Sequence, residues 1–469
     1  MGRMPTQAQY SMTPEEILAH QKEFFDTGKS RDISFIQSKL LALKKAIASR
    51  EDAIYEALYM DFKKSKFETY FSEIGIVMSE IEMTLKNLKH WSKPKRVRSA
   101  ALNFPSKDYI YNEPYGTVLI IAPWNYPFQL AIAPVISAIA AGNTVVLKPS
   151  ELTGNTAHLL ENILGSVFDS QHLSVVQGGV SETTALLKER WDYIFFTGSV
   201  PVGKIVAKAA AQHMTPVTLE LGGKNPCIVD DSVDLTLTSK RLVWGKFVNA
   251  GQTCIAPDYI LVHKSIKSKL IERLKQDILN AYGKDASLSN DYPRIVNSKN
   301  LKRLSLMLEG VNVIFGGEIN EKDHYMAPTL IDEPSLDSQV MAGEIFGPIL
   351  PILEYESSED LNRIINSYEK PLGFYVFSNR KQFYKTLLEK FSFGGGAIND
   401  TMIHFGNPRL PFGGVGESGI GAYHGRLGFD TFSHQKGITI KANWLDIPLR
   451  YAPYTNKLKA IKKAFKWLG

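Results

Sequence analysis

Apolar side chains recur at three- and four-residue spacing from Ile33 to Tyr59 and again from Phe67 to Leu88, which predicts helices over most of the first ninety residues. Thr13-Pro14-Glu15-Glu16 has the pattern of a capping box with proline in the first turn, so a helix is expected to start there. Between Asn103 and Asn112 the pattern changes to Phe104, Tyr109 and Tyr111 among polar residues, a strand or hairpin separate from the segments after it. At Gly116 it becomes regular. Short β-rich runs (Thr117 to Ile121, Thr144 to Leu147, Leu173 to Gln177, Tyr193 to Phe196 and Val217 to Leu219) alternate with helical segments at Pro127 to Ala140, Asn155 to Phe168, Glu182 to Glu189 and Val202 to Gln212. Uniformly apolar strands joined by helical crossovers predict an α/β fold with a parallel, doubly wound sheet.

After Gly222-Gly223 a second α/β lobe is expected. Its strands are Cys227 to Val229, Tyr259 to Val262, Val311 to Phe315 and Leu350 to Leu353, and its helices run from Leu235 to Val248, Ile266 to Ala281, Ser358 to Tyr368 and Lys381 to Phe391. At 469 residues the chain is long enough for two or three separate cores. The Gly-rich loops Glu344 to Pro348 and Pro411 to Gly419 imply close backbone approach to something.

Composition narrows the class. Hydrophobic residues at 44% and charged residues at 22% describe an ordinary globular protein. Two cysteines, Cys227 and Cys254, offer neither a disulfide framework nor zinc-ligand spacing, so no metal is expected and a reducing compartment, the cytoplasm, fits best. No run approaches the roughly 18 apolar residues of a membrane span, and Leu130 to Ala141 is broken by Pro134. The N-terminus lacks the apolar core of a secretory signal, and Met1-Gly2 with Thr6 matches only a loose myristoylation pattern. The net charge of +6 is local: Lys441, Arg450, Lys457, Lys459, Lys462, Lys463 and Lys466 oppose Asp446 alone. A balanced remainder argues against nucleic acid as a partner and for a basic tail with its own task. The other basic run, Lys93 to Arg98, contains a proline and reads as a solvated linker.

Two stretches carry candidate chemistry. Cys254 follows the turn Asn249-Ala250-Gly251-Gln252-Thr253 instead of lying in an apolar run, and Glu220 ends an apolar strand just before Gly222-Gly223. A thiol and a carboxylate are a nucleophile and a base. In doubly wound sheets ligands bind beyond the carboxyl ends of the strands. Those ends here read Ala122 to Asn125, Lys148 to Glu151, Gly178-Gly179 and Thr197 to Ser199. Gly198 to Gly203 is a turn opening a helix, able to hold a phosphate on backbone N–H groups, although it lacks the G-x-G-x-x-G spacing.

Pro123-Trp124-Asn125, Lys148-Pro149-Ser150-Glu151, Phe196-Thr197-Gly198-Ser199, Leu219 to Lys224, Gly251-Gln252-Thr253-Cys254, Glu344 to Pro348 and Pro411 to Gly414 resemble, in order, the successive signatures of the aldehyde dehydrogenase superfamily. The resemblance covers about residues 10 to 440. Ala250 to Tyr259 and Gly421 to Gly425 resemble its class 3 branch, which acts on fatty and aromatic aldehydes. It implies a Rossmann-type cofactor-binding lobe, an α/β catalytic lobe and a small β oligomerisation extension. The implied boundaries are 1–95 and 114–219 for the dinucleotide-binding domain with its N-terminal helices, 220–410 for the catalytic domain, and 96–113 with 425–442 for the extension.

By the same resemblance, Cys254 attacks an aldehyde, Asn125 and the Cys254 amide stabilise the oxyanion, and Glu220 activates the water that hydrolyses the thioester to the acid. NAD or NADP would be held by Trp124, Lys148, Ser150, Glu151, Gly198, Ser199, Gly203, Leu221, Gly222, Glu344 and Phe346, with Tyr70, Trp244 and Phe405 along a channel for an apolar aldehyde. Simpler roles compete: Asn125 as a helix cap, Glu220 paired with a lysine, the aromatics as core. Two other activities compete as well, acyl transfer to coenzyme A and a cofactor-independent thiol hydrolase whose nearest histidine in sequence is His263. Class 3 relatives imply a homodimer. Leu458, Ile461, Phe465 and Leu468 with lysines between them predict an amphipathic helix over 455–469, docked on the protein, on a partner subunit or peripherally on an anionic membrane.

Overall fold

The structure, a computed structural model, describes residues 12–468; the Met1-Gly2 pattern lies outside them. The first helix, Pro14–Asp26, is capped as the sequence predicts. Thr13 Oγ1 accepts the Glu16 amide, and the Glu16 carboxylate accepts the Thr13 amide at 2.7 Å.

The first sheet has six strands in the order Gly419–Ile420, Val217–Glu220, Tyr193–Thr197, Thr117–Ile121, Thr144–Lys148 and Leu173–Val175. The five expected strands are mutually parallel, and Gly419–Ile420 adds an antiparallel edge. Alternate side chains enter different cores. Leu119, Ile121, Val146, Ile194 and Phe196 meet the helices Pro14–Asp26 and Val200–Ala211, whereas Val118, Ile120, Val145, Leu147 and Phe195 meet the wholly buried helix Gln129–Ala141 and its neighbours. Burial on both faces is why these strands carry no polar alternation.

The second sheet runs Asn312–Phe315, Thr329–Asp332, Ile349–Tyr355, Tyr259–His263, Pro226–Val229, Gly373–Phe377 and Gly395–Ile398, parallel except for the first strand. Three of these strands, Thr329–Asp332, Gly373–Phe377 and Gly395–Ile398, and the helix Ser298–Leu306 carry too short or too glycine-rich a pattern to stand out in the sequence.

A third sheet, antiparallel, pairs Ser106–Pro114 with both Lys95–Val97 and Ser433–Lys441. It differs from the expected extension at both borders. Lys95–Val97 is a strand and not a solvated linker, and Gly425–Thr431 is a helix packed on Gln129–Ala141 and Gly75–Trp91, hence part of the first lobe. Residues 411–424 likewise return from the second lobe to the edge of the first sheet. The C-terminal helix spans Leu458–Leu468, with Leu458 and Phe465 exposed and Ile461 half-buried. Among the described residues no helix is long and apolar enough to cross a membrane.

Candidate active site

The loop that carries Cys254, the candidate nucleophile, is built by a helix that stops abruptly. Leu235–Phe247 ends, Val248 turns extended, and Asn249, Ala250 and Gly251 then take three successive left-handed conformations with φ of 53°, 51° and 72°. For asparagine and alanine that backbone is costly and persists only when its surroundings over-determine it. They do. The Gln252 side-chain amide donates to the Asn249 and Arg294 carbonyls and accepts from the Val296 amide. Asn249 Nδ2 donates to the Asn125 carbonyl at 2.8 Å, and Asn125 Nδ2 donates to the Gln252 carbonyl at 3.1 Å. Asn225 Nδ2 holds the carbonyls of Cys254 and Ala256 at 2.8 and 2.9 Å. A side chain on Gly251 would lie 2.3 Å from the Gly347 carbonyl, so this loop and the Glu344–Pro348 loop touch backbone to backbone.

Cys254 opens onto a cavity of about 290 Å³. Its walls are mostly apolar, with Phe71, Trp244, Ile403, Phe405 and Phe412 prominent, and Glu220 shares it with Cys254. Neither Glu220 oxygen has a hydrogen-bond partner among the described residues, and burial pushes its carboxyl well above the ordinary carboxylate range. The Cys254 thiol is also pushed up, first by burial and then by the Glu344 and Glu220 carboxyls. The charged groups that act on it are thus acidic. Among the described residues no histidine lines the cavity, and the His263 ring is bonded to Ser265 Oγ.

Trp244 and Phe405 line the cavity as expected, but Tyr70 does not; Phe71 takes that place. The cause is local. Tyr70–Ile74 is a π-helical turn inside an otherwise α-helical segment, and the extra residue per turn shifts which side chains face inward. Among the described residues Glu220 has no lysine partner, and Asn125 is not a helix cap: the helix Gln129–Ala141 starts after Phe128, and one Asn125 Nδ2–H goes to the Gln252 carbonyl.

The remaining predicted residues gather beyond the strand ends. Lys148 is buried with its Nζ 2.8 Å from the Glu151 carboxylate, while Ser150 Oγ caps the Leu152 amide. Ser199 leads into the helix Val200–Ala211 without a side-chain cap, leaving its first N–H groups free for a phosphate. Gly198 and Gly203 are glycines for packing: a Cβ would come within 2.5 Å of the Phe196 ring and 2.7 Å of Leu221. Opposite them, across Leu221 and Gly222, stand Glu344 and Phe346 from the second lobe. A Cβ on Gly222 would lie 2.1 Å from the Glu344 carboxylate. Phe346 has φ of 48° and meets Trp124 edge to face at 5.2 Å. The Glu344 loop is braced by the buried ion pair Lys224–Asp258, with Asp258 accepting the Ile345 amide and Lys224 donating to the Val340 and Gly343 carbonyls. Burial and Asp258 raise the Glu344 carboxyl to about 8. Its Oε1 and Thr197 Oγ1 are buried without partners among the described residues. Unpartnered acceptors, a free helix start and glycine-cleared backbone fit a dinucleotide lying across the strand ends.

The sequence model of the aldehyde dehydrogenase family matches residues 7–438. The chain belongs to the aldehyde dehydrogenase family. Its relatives include the 4,4'-diaponeurosporen-aldehyde dehydrogenase of Staphylococcus aureus, 49% identical over 96% of this chain and 99% of that one. Another, a dimeric NADP-preferring aldehyde dehydrogenase of Rattus norvegicus, is 45% identical over 91% and 94%. The substrate-bound structure of a Staphylococcus aureus aldehyde dehydrogenase superposes with a TM-score of 0.95 at 48% identity, covering 97% of this chain and all of that one. Family 3 members also stand among the relatives, in line with the class 3 resemblance. The enzyme is thus an NAD(P)-dependent oxidoreductase acting on aldehydes. Asn249, Gln252 and Asn225, which hold the loop, are absent from the residues expected at the site; their one signal in the sequence is a cluster of amides around one cysteine.

Proposed function

We propose that this enzyme oxidises a long apolar aldehyde to its free acid through a thioester on Cys254. The observation that carries the reading is one cavity with two reactive groups, the Cys254 thiol and the unpartnered Glu220 carboxyl, in otherwise apolar walls. The thiol adds to the carbonyl carbon, with its proton passing to the solvent or a carboxylate of the cavity. Asn125, already beside the Gln252 carbonyl, and the Cys254 amide are the donors for the oxyanion, each worth on the order of 3 kcal/mol in the transition state. NAD or NADP, when bound, supplies the two-electron acceptor, and Lys148, Glu151, Ser199, Glu344 and Phe346 are the residues to hold it. Glu220 then takes a proton from water that attacks the thioester. Burial raises its pKa above that of a free carboxyl, which makes the ionised form a stronger base than an exposed carboxylate. Such a base favours hydrolysis over transfer to coenzyme A.

The substrate class is supported by the walls and by the apolar aldehyde in the name of the Staphylococcus aureus relative. The test is the absorbance of reduced cofactor on mixing the enzyme with NAD or NADP and aldehydes from short to long. Reduction that rises with chain length and vanishes in Cys254→Ala supports the reading; reduction surviving in Cys254→Ala, or dependent on coenzyme A, rejects it.

Assembly follows the same logic. The strand Ser433–Lys441 exposes Ile438 and Ile440 on the small sheet, a surface suited to a homodimer, and the rat relative is named dimeric. The helix Leu458–Leu468 exposes Leu458 and Phe465 beside Lys459, Lys462, Lys463 and Lys466, the composition of a helix lying on an anionic membrane. Removal of 455–469 is expected to abolish binding to anionic vesicles and to spare turnover of short aldehydes. Unchanged vesicle binding would reject the membrane role.

A further inference from the structure

Beside the loop that carries Cys254 lies the segment from Lys64 to Ile74, whose Phe71 and Ser72 reach the cavity wall. It carries three buried charged residues, and they are used differently. Lys64 pairs with Glu73 at 2.7 Å, both side chains fully buried. Glu73 Oε2 also accepts the amides of Phe128 and Gln129, at 2.9 and 3.2 Å, where the chain leaves Asn125 for its helix. Glu68 forms no ion pair among the described residues. Its Oε1 accepts the amide of Asn249 at 2.9 Å, the first left-handed residue of the nucleophile loop.

That amide has lost its helical acceptor. The preceding helix ends at Phe247 and Val248 is extended, so Asn249 N–H points out of the helical ladder. A buried backbone donor left alone is costly, and a carboxylate is its strongest partner. One helical segment therefore fixes both halves of the reaction centre, Glu73 at the segment that carries Asn125 and Glu68 at the loop that carries Cys254. The π-turn at Tyr70–Ile74 begins after Glu68 and includes Glu73, so it sets the phase between these two carboxylates.

We propose that Glu68 is a positioning residue for the Cys254 nucleophile: by accepting the Asn249 amide it holds the strained turn that aims the thiol, and its ionised form holds it best. The proposal rests on Cys254 being the nucleophile. Burial raises the Glu68 carboxyl to about 7, offset by Lys64 and the Asn249 amide and reinforced by Glu73 and Asp291. The hydroxyls of Tyr126 and Tyr282 also face it. Because the charged form is the stronger acceptor, turnover is expected to rise as pH increases through about 7.

The test compares Glu68→Ala and Glu68→Gln with the parent enzyme, counting active sites by thiol titration. Alanine removes the acceptor, while glutamine keeps an acceptor oxygen but cannot titrate. Glu68→Ala is expected to lower kcat by about 10- to 100-fold, the range expected for misplaced reacting groups, with KM for NAD changed less than about twofold. Glu68→Gln is expected to restore kcat to within about threefold and to flatten the rise near pH 7. Full kcat in Glu68→Ala would overturn the proposal, as would a Glu68→Gln variant that kept the parent pH profile. If Glu68→Ala does not fold, the pH profile of Glu68→Gln decides alone. Activity surviving in Cys254→Ala would instead sink the nucleophile assignment, a failure distinguishable from that of Glu68.

Discussion

Cys227 and Cys254 are the two thiols of this chain, and burial raises the pKa of both. Cys227 lies in the strand Pro226–Val229 between Tyr259–His263 and Gly373–Phe377, with only core around it. Cys254 lies at the end of a strained loop, facing a cavity and two carboxyls. The thiol itself does not distinguish them. The difference lies in access, and in the groups arranged to act on whatever is bound. On the proposed reading, what sets Cys254 apart is a loop that fixes its place and a carboxyl, Glu220, without hydrogen-bond partners among the described residues.

The sharpest way to break this comparison is to remove the base and leave the thiol. Glu220→Gln is expected to lower steady-state kcat by about 10²- to 10⁴-fold, the usual contribution of a general base. The first turnover should still produce one equivalent of reduced cofactor, with an acyl group retained on Cys254 by mass spectrometry. Full turnover in this variant would show that Glu220 is core acid and nothing more. Next in size is the wall. Trp244→Ala opens the apolar side of the cavity and is expected to lower kcat/KM for long aldehydes relative to short ones by about 10- to 200-fold, the scale of one apolar pocket contact. Equal losses for both would place Trp244 outside the substrate path.

A smaller effect runs in the opposite direction. Glu220 is one of the two carboxyls that disfavour the Cys254 thiolate, so replacing it with a neutral amide lowers the thiol pKa. Alkylation by iodoacetamide should therefore speed up in Glu220→Gln by roughly 2- to 10-fold at fixed alkaline pH, in proportion to the larger thiolate fraction. Its pH profile should move toward lower pH. One variant would then be slower in turnover and faster in thiol reactivity, and the buried Cys227, which reacts only where the chain unfolds, controls for misfolding.

How much of this was legible in the sequence depended on the scale of the interaction. The five parallel strands of the first sheet showed themselves because both faces are buried, and Cys254 and Glu220 stood out because one follows a glycine turn and the other ends an apolar strand; the structure puts both on one cavity. Phe71 replaces the expected Tyr70 at the cavity because a π-turn shifts helical phase without changing the apolar pattern. Glu68 gives no signal at all: its partner is a backbone amide 181 residues away, and pairings at that separation leave no local pattern. The helix Gly425–Thr431 falls outside the small third sheet for a similar reason. Its docking on Gln129–Ala141 is set by Gly428 beside Ser137, a contact between distant small residues.

The smallest expected effect on activity tests the other half of the comparison. Cys227 sits in a fully buried strand and does not line the cavity, so Cys227→Ala removes one packed sulfur and no functional group. The loss should be about 1 to 2 kcal/mol of stability, read as a fall of a few degrees in Tm. Turnover per active site should stay within about twofold of the parent, because a core contact acts on kcat only if it shifts the loop. That condition is strict here. Pro226 and Cys227 come directly after Asn225, whose amide holds the Cys254 carbonyl, so a strand that slackened at Cys227 would reach the nucleophile through a short run of backbone and one hydrogen bond. If Cys227→Ala lowers kcat tenfold while the protein stays folded, the two thiols are coupled through Asn225 and the division between inert core and reactive loop is drawn in the wrong place. If kcat is unchanged, the hydrogen bonds of the Asn225 side chain to Cys254, Ala256 and Gly373 are enough to isolate the loop from its strand.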